Sequence, residues 1–171
     1  MTKYFGAMLF LAGLLTGCAE STADIPAVSE LDIARFSGKW YEIARLPHYF
    51  ERGMNQVTAE YTPQPDGIIR VENRGIRDGK AESITGKARR ADKSGGGNLE
   101  VSFFWIFYSG YRVVYLEPDY RAMLVAGNRK NYFWILARTP EIPREDLNRY
   151  LKMASGWGFA TEKLEYPAPA R

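Results

Sequence analysis

The sequence predicts an all-β fold, an eight-stranded antiparallel up-and-down barrel with one C-terminal α-helix packed on its wall. Two observations support this fold class. From Gly38 onward, segments in which apolar and polar residues alternate follow one another at hairpin spacing, and clusters of turn-forming residues separate them. One later segment has apolar residues at the spacing of an amphipathic helix instead. Closing the strands into a barrel leaves no strand edge unpaired.

Length and composition limit the function classes that the chain can serve. With 171 residues, of which 46% are hydrophobic, it can form one domain with a sizeable core, and disorder is excluded. The net charge of +3 is too small to indicate a nucleic-acid partner. The single cysteine cannot form an intrachain disulfide, and one cysteine with one histidine cannot form a zinc site. We therefore predict no metal and no cofactor.

The N-terminal segment is typical of a secretion signal. Lys3 supplies a positive charge, and residues 5–15 form an apolar run that is too short to span a bilayer comfortably. The run ends in Leu15-Thr16-Gly17-Cys18, which resembles the lipobox of bacterial lipoproteins. This resemblance implies that residues 1–17 are a lipoprotein signal peptide and that Cys18 is the residue of lipid attachment.

The lipobox resemblance has a consequence for location. Residue 19 is Ala rather than Asp, which in such lipoproteins indicates the outer membrane. Several acyl chains together anchor a protein firmly. We therefore expect a lipid-anchored lipoprotein of the cell outer membrane. Residues 18–30, which are small, polar and proline-bearing, are expected to be a lipidated tether, and residues 31–171 the barrel domain.

The stretch from Gly38 to Arg45 is the predicted first strand. Its glycine allows the backbone to pass close to a neighbour, and Trp40 is large enough to plug the end of a barrel. The eight predicted strands lie near residues 38–46, 55–63, 68–76, 82–91, 98–104, 110–117, 122–128 and 132–138.

One helix is predicted after the strands. Pro143 suits its first turn, and Gly156 or Gly158 ends it. Its apolar residues stand at i, i+3, i+4 and i+7, namely Leu147, Tyr150, Leu151 and Ala154. Such a helix has only the barrel wall to pack against. Residues 163–166 could add a short ninth strand.

Alternation also predicts which side chains face the interior. In strands six to eight both faces are apolar, so one of two possible faces is chosen there. The predicted cavity residues are Val57, Ala59, Tyr61, Val71, Asn73, Ile84, Val101, Phe103, Val113, Tyr115, Leu124 and Trp134. An eight-stranded barrel is either filled by side chains or holds one small ligand. Small inward residues, such as Ala59 and Gly86, favour the ligand, and a solid core is the alternative.

Several segments carry a resemblance to a known family. They are Gly38-Lys39-Trp40-Tyr41, Glu117-Pro118-Asp119-Tyr120, Trp134 to Arg138, Phe50-Glu51-Arg52-Gly53 and Val101-Ser102-Phe103-Phe104. On these segments, and over about residues 31–166, the chain resembles a lipocalin, specifically the bacterial lipocalins close to apolipoprotein D. Pro118 stands where the family motif has threonine.

The resemblance and the topology agree on the role of the motif residues. In an up-and-down barrel the start of strand one, the turn after strand six and the end of strand eight lie at one end. We expect Trp40, Asp119 and Arg138 to meet there, with Arg138 over the Trp40 ring. Gly38, Trp40, Asp119, Tyr120 and Arg138 are therefore expected to be structural residues that close the barrel.

The loops at the opposite end are expected to form the mouth. They cover residues 47–54, 77–81, 105–109 and 128–131. Residues 105–108 are an apolar patch, which is either packed, a contact of a homodimer or left exposed. Positive charge surrounds it at Arg52, Arg77, Lys80, Arg129 and Lys130. An apolar cup with a basic mouth suits an amphiphile such as a fatty acid or a lysophospholipid, with Arg52, Arg77 and Arg129 as headgroup residues.

We predict a binding protein without catalytic residues. The resemblance implies an outer-membrane protein that stores or transports fatty acids or lysophospholipids for envelope maintenance. One alternative is a carrier of haem or pigment, with His48 as a ligand. Another is a lipocalin-fold enzyme acting on a lipid, in which Glu42 has a pKa raised by burial, although a buried, hydrogen-bonded glutamate is the simpler interpretation.

Overall fold

The barrel predicted from the sequence is confirmed. A computed structural model of the chain describes residues 20–104 and 106–169, so residues 1–17, Cys18 and Trp105 lie outside the described part. Eight antiparallel strands pair in chain order, and the last pairs with the first. The strands are β1 (Gly38–Arg45), β2 (Asn55–Pro63), β3 (Ile69–Arg77), β4 (Lys80–Arg90), β5 (Asn98–Phe104), β6 (Phe107–Leu116), β7 (Ala122–Ala126) and β8 (Phe133–Ala137).

The helices are short apart from one. They are α1 (Ile33–Phe36), α2 (Arg144–Gly156) and single 3-10 turns at Tyr49–Glu51 and Thr161–Lys163. The predicted C-terminal helix is α2, and Pro143 precedes its first residue as the N-cap. Within residues 20–104 and 106–169, no helix is both long and apolar enough to cross a membrane.

The predicted ninth strand is wrong. Residues 161–163 form a 3-10 turn, and Glu165 makes an isolated antiparallel bridge to Arg45. One bridge holds the C-terminal segment beside the end of β1, but it does not extend the sheet.

The first helix covers the closed end of the barrel. The Asp32 side chain accepts hydrogen bonds from the backbone N–H groups of Ala34 and Arg35, which caps α1. Phe36 on this helix and Trp40 at the start of β1 are fully buried, and the Trp40 indole N–H donates to the carbonyl of Phe36. The two rings fill the bottom of the barrel, as the sequence predicts for Trp40.

Apolar side chains pack in two layers, one inside the barrel and one between its wall and α2. The inner layer includes Trp40, Val71, Leu99 and Met123. The outer layer brings Tyr150 and Ala154 of α2 onto the small and branched residues of β7 and β8. The strands under the helix are therefore apolar on both faces, and β7 is buried at all five positions.

The double burial explains two wrong inward assignments. Leu124 belongs to the outer layer, because Met123 and Val125 are the β7 residues that face the interior. Tyr115 also faces α2, where its ring lies 5.9 Å from that of Tyr150. A bulge between Val113 and Tyr115 shifts the alternation of β6 by one residue, so alternation no longer predicts the face.

Residues 20–31, which we call the N-terminal strap, lie along the outer wall. The sequence predicts a tether over most of this segment, whereas the structure packs it against the barrel from one end to the other. At the open end, the Thr22 hydroxyl donates to the carbonyl of Gly127 at 2.5 Å. Midway, the Arg112 guanidinium donates to the carbonyls of Thr22 and Ile25. At the closed end the Leu31 N–H donates to the carbonyl of Gly95 at 3.0 Å.

Candidate functional site

The barrel contains a cavity of about 670 Å³ that opens at one end. We call this end the mouth; the loops that join β1 to β2, β3 to β4, β5 to β6 and β7 to β8 lie there. Nine of the twelve residues predicted to face a cavity line it, namely Val57, Ala59, Tyr61, Val71, Asn73, Ile84, Val101, Phe103 and Trp134. Val113 faces the interior but is fully buried in the inner layer below the cavity.

A column of aromatic rings descends from the mouth to the closed end and crosses the interior from β8 and β6 to β2. The ring centroids of Trp134 and Tyr111 are 6.5 Å apart, and those of Tyr111 and Tyr61 are 6.2 Å apart. Tyr61 is followed by Phe36 at 4.6 Å, in the layer that plugs the barrel. The column offers a continuous apolar surface with a few polar atoms at its edge.

Two tyrosine hydroxyls meet at the bottom of the cavity. The oxygens of Tyr61 and Tyr111 are 2.6 Å apart, and the bond between them satisfies both groups. Burial raises the pKa of both phenols above the ordinary value of 10, so they are neutral at physiological pH.

Asn73 lies on β3, paired with Ala59 of β2, and is not satisfied in the same way. It lines the cavity, and its Oδ1 accepts no hydrogen bond from any described residue. A buried acceptor without a donor is costly, so this atom is suited to a hydroxyl or amide group of a ligand or to a water molecule.

A buried charged cluster lies nearer the mouth, where β1 ends. The Arg45 guanidinium is 2% exposed, donates to Glu42 Oε1 at 2.5 Å and also donates to the carbonyls of Glu51 and Met54. Glu165, from the C-terminal segment, accepts from its Nε at 3.1 Å. One guanidinium therefore serves the carboxyl groups of two glutamates and two backbone carbonyls, which fixes the loop after β1 to the wall.

The protonation of Glu42 follows from this crowding. Burial raises its pKa, the negative charge of Glu51 raises it further, and the attraction of Arg45 offsets only part of the shift, so that the pKa reaches about 8. Both glutamates line the cavity. The sequence-based hypothesis of a raised pKa at this residue agrees with the structure.

His48, the sequence-based haem-ligand candidate, is held by neighbours instead of pointing into the cavity. Its ring stacks on Phe50 with centroids 4.0 Å apart. Its Nε2 lies 2.8 Å from Glu51 Oε2, within ion-pair distance but without hydrogen-bond geometry. Glu51 in turn accepts from the Trp134 indole N–H at 3.2 Å. His48 is absent from the residues that line the cavity.

The predicted headgroup arginines are placed differently from one another. Arg77 and Arg129 line the cavity opening, together with Arg74, which the sequence reasoning did not single out. Arg77 also donates to the carbonyl of Phe50 at 2.9 Å, so it holds the facing loop as well. Arg52 is exposed in the mouth loop outside the cavity lining.

The predicted structural residues gather at the closed end. The Arg138 guanidinium lies 3.8 Å from the centroid of the Trp40 ring. It donates to the carbonyls of Lys39 at 2.8 Å and Tyr120 at 3.4 Å, and to two carbonyls of α1. Gly38 has a φ of +89°, which favours glycine. Asp119 is mostly exposed and accepts from the Arg121 N–H in its own turn, so it shapes the turn without contacting the ring.

Comparison with known sequences decides the family. The profile of the lipocalin-like domain matches residues 31–169. The chain belongs to the lipocalin-like domain family. The predicted resemblance is thereby confirmed over the whole barrel, α1 and α2.

The relatives of this lipocalin include bacterial lipoproteins. It is 41% identical over 162 residues to the outer membrane lipoprotein Blc of Vibrio cholerae, which is 93% of this chain and 95% of that protein. Identity to the protein of the same name from Escherichia coli K12 is 40% over 157 residues, covering 90% and 89% of the two chains. Apolipoprotein D of Rattus norvegicus is 33% identical over 139 residues, covering 74% and 70%.

A solved structure supports the fold. Insecticyanin from the tobacco hornworm Manduca sexta matches with a TM-score of 0.70 at 21% identity, over 87% of this chain and 86% of that one.

With the bacterial relatives, the predicted location as a lipid-anchored lipoprotein of the outer membrane is confirmed. Family and relatives together support a lipid-binding lipoprotein.

Proposed function

We propose that this lipocalin holds a fatty acid or a lysophospholipid in its cavity, and stores or transports it for envelope maintenance without covalent chemistry. The observation that carries the proposal is the cavity itself, which is about 670 Å³, open at one end and lined mainly by apolar and aromatic side chains. Ligand sites for small molecules occupy roughly 300–1,000 Å³. Each methylene group of an acyl tail buried there contributes about 0.8 kcal/mol.

The polar groups of the site suit the head of such a ligand. Arg77 and Arg129 lie at the opening, where an anionic carboxylate or phosphate would remain in contact with water. We assign Asn73 Oδ1 as the acceptor for a glycerol hydroxyl, because this buried atom accepts from no described residue. A fatty acid has no such hydroxyl, so Asn73 would distinguish the two ligand classes.

Lipid extraction tests the proposal. A chain of residues 19–171 contains every described strand and helix, since these lie between Ile33 and Lys163. It is purified without detergent, and its lipids are extracted and identified by mass spectrometry. Fatty acid or lysophospholipid at near-stoichiometric amounts supports the proposal. A protein that carries none and refuses added lysophospholipid contradicts it.

A matched pair of substitutions locates the ligand. Ala59→Trp places a large side chain in the cavity, whereas Ala34→Trp adds the same side chain to the exposed surface of α1. The first variant should lose most of the bound lipid and the second should keep it. Urea unfolding of both checks that the barrel remains folded. Equal lipid content in two folded variants would place the ligand elsewhere.

A second substitution identifies the ligand class. Asn73→Leu should weaken lysophospholipid binding about 5- to 10-fold, the equivalent of roughly one hydrogen bond of about 1 kcal/mol, and leave fatty-acid binding unchanged. Titration of both lipids by intrinsic tryptophan fluorescence measures the effect, because Trp134 lines the cavity. An equal loss for both lipids would contradict the assignment of Asn73 to the glycerol hydroxyl.

We also propose that Cys18 carries the lipid anchor, on the strength of the preceding Leu15-Thr16-Gly17. Cys18→Ser in the full chain should leave an uncleaved or released protein, and membrane fractionation measures it. A processed mutant that still sits in the outer membrane would overturn the assignment.

A further inference from the structure

We propose that the mouth of the barrel faces the lipid leaflet that holds the protein's own acyl chains, so that a lipid passes between bilayer and cavity without crossing water. The inference rests on the proposed anchor at Cys18 and deepens the proposed lipid carriage. It is carried by two independent features, the course of the N-terminal strap and the position of the exposed apolar side chains.

The strap begins at the mouth. The Lys130 N–H donates to the carbonyl of Glu20 at 2.8 Å, and the Lys130 ammonium lies 3.0 Å from the Glu20 carboxylate. Ser21 forms a bridge with Arg129 in the same β7–β8 loop. From there the strap runs down the wall until Leu31 reaches the closed end. The first described residue is thus fixed beside the cavity opening.

The length of chain between anchor and strap limits the orientation. Cys18 precedes Glu20 by two residues, which span at most about 7 Å when fully extended. The ten residues of β6, from mouth to closed end, span about 33 Å along the strand. Two residues cannot span the distance from the mouth to the closed end. Acyl chains on Cys18 therefore cannot reach a membrane placed against the closed end.

The positions of the exposed apolar side chains indicate that the mouth, and not the side wall, meets the bilayer. Tyr49 is 78% exposed on the β1–β2 loop, and Phe104, Ile106 and Phe107 are 70–76% exposed at the tip of the β5–β6 hairpin. Tyr49, Phe104 and Phe107 line the cavity opening. Among the described residues, none of the large exposed apolar side chains lies at the closed end.

Such a rim is unusual for a surface that meets only water, because large exposed apolar patches mark interaction sites. Aromatic side chains are favoured at the interface between headgroups and acyl chains. Exposed basic residues, Arg52 on a mouth loop and Lys80 at the mouth end of β4, add attraction for anionic headgroups. The bilayer is therefore the partner of this surface, and the experiment below also detects contact with a second copy of the chain.

Fluorescence quenching in vesicles tests the orientation with the full acylated chain. A thiol-reactive fluorophore is attached at Ile106→Cys on the mouth hairpin or, as the matched control, at Asp66→Cys in the exposed β2–β3 turn at the closed end. Each lipoprotein is reconstituted into vesicles of phosphatidylethanolamine and phosphatidylglycerol that contain a nitroxide-labelled phospholipid. Quenching at residue 106 should exceed that at residue 66 at least threefold.

Equal quenching at the two positions, or stronger quenching at residue 66, would overturn the proposal. A label at residue 106 that is shielded from the nitroxide would overturn it in favour of a dimer contact if the unlabelled Ile106→Cys variant cross-links to a second copy through that residue. Lipid content of the same variants separates this result from the proposed function. Bound lipid with an unquenched mouth refutes the orientation alone, and a quenched mouth without bound lipid refutes the lipid carriage alone.

Discussion

The hydrogen bond between Tyr61 and Tyr111 tests whether the bottom of the cavity is dry. Their oxygens lie 2.6 Å apart, and Tyr61 is only 4% exposed. Tyr61→Phe or Tyr111→Phe removes one oxygen without opening a cavity, but leaves the other hydroxyl buried without its partner. Each single substitution should therefore lower the free energy of unfolding by about 1–3 kcal/mol.

The double substitution should behave differently from the two singles. With both hydroxyls replaced by apolar groups of nearly the same shape, no unsatisfied polar group remains, and such a replacement is nearly neutral. We expect the loss in the double variant to be smaller than the sum of the single losses by at least about 1 kcal/mol. This non-additivity is the signature of a paired, water-excluded bond.

Equilibrium urea unfolding measures the effect. With a slope of about 1–3 kcal/mol per molar urea, a loss of 2 kcal/mol shifts the midpoint by roughly 1 M. Tyr166→Phe is the matched control, because Tyr166 is 52% exposed, and it should stay within about 0.5 kcal/mol of the unaltered protein. Neutral single variants, or losses that add in the double variant, would refute the reasoning that the two hydroxyls depend on each other.

Three further substitutions test other parts of the molecule. Burial raises the pKa of Glu42 to about 8 from an ordinary value of 4.5. Between these two pH values the folded chain holds a proton that the unfolded chain has released, so the free energy of unfolding falls as pH rises. Urea unfolding from about pH 5 to 9 should therefore show a smaller pH dependence of that free energy for Glu42→Gln than for the unaltered chain. Gly86→Ala should destabilise by about 1–3 kcal/mol, since a Cβ there would lie 2.6 Å from the Phe103 ring. Arg138→Ala should cost at least about 2 kcal/mol in thermal unfolding, because it loses the contact with Trp40, about 0.5–2 kcal/mol, and several charged hydrogen bonds.

Each of these predictions has a matched control. Glu145→Gln on the exposed start of α2 should leave the pH profile unchanged, and parallel profiles for the unaltered chain and Glu42→Gln would contradict the raised pKa. Gly156→Ala meets nothing within 4 Å, so a loss equal to that of Gly86→Ala would contradict the steric argument. Arg144→Ala removes an exposed arginine and is the control for Arg138→Ala. Equal losses of thermal stability in the two variants would show that the closed end does not depend on the Arg138 guanidinium.

Local pattern was sufficient to predict the barrel. Where one face of a strand meets the interior and the other meets water, alternation follows burial, and Val57, Ala59 and Tyr61 were assigned correctly to the inner face. The closed end was also predictable, because the up-and-down topology brings the ends of β1 and β8 together and the Arg138–Trp40 contact follows. In both cases the information lies in residues close in sequence or in the order of the strands.

Features that depend on packing from outside the sheet could not be predicted from the local pattern. Leu124 and Tyr115 were misassigned because α2 makes the outer face as apolar as the inner one, and a bulge shifts the alternation of β6. The buried cluster at Arg45 also depends on a distant partner, since Glu165 lies 120 residues away. No local pattern encodes either contact.

The N-terminal strap is the clearest case in which local composition and the tertiary fold give different answers. Its composition of small and polar residues predicts a tether, and only the fold provides the carbonyls of Gly127 and Gly95 that bind its donors. The strands, the turns and the closed end follow from local preference and strand order. The position of the strap, on which the proposed orientation of the mouth depends, follows from hydrogen bonds between segments far apart in the chain. Local sequence does not encode these bonds, because the donors and acceptors of the backbone are the same at every residue except proline.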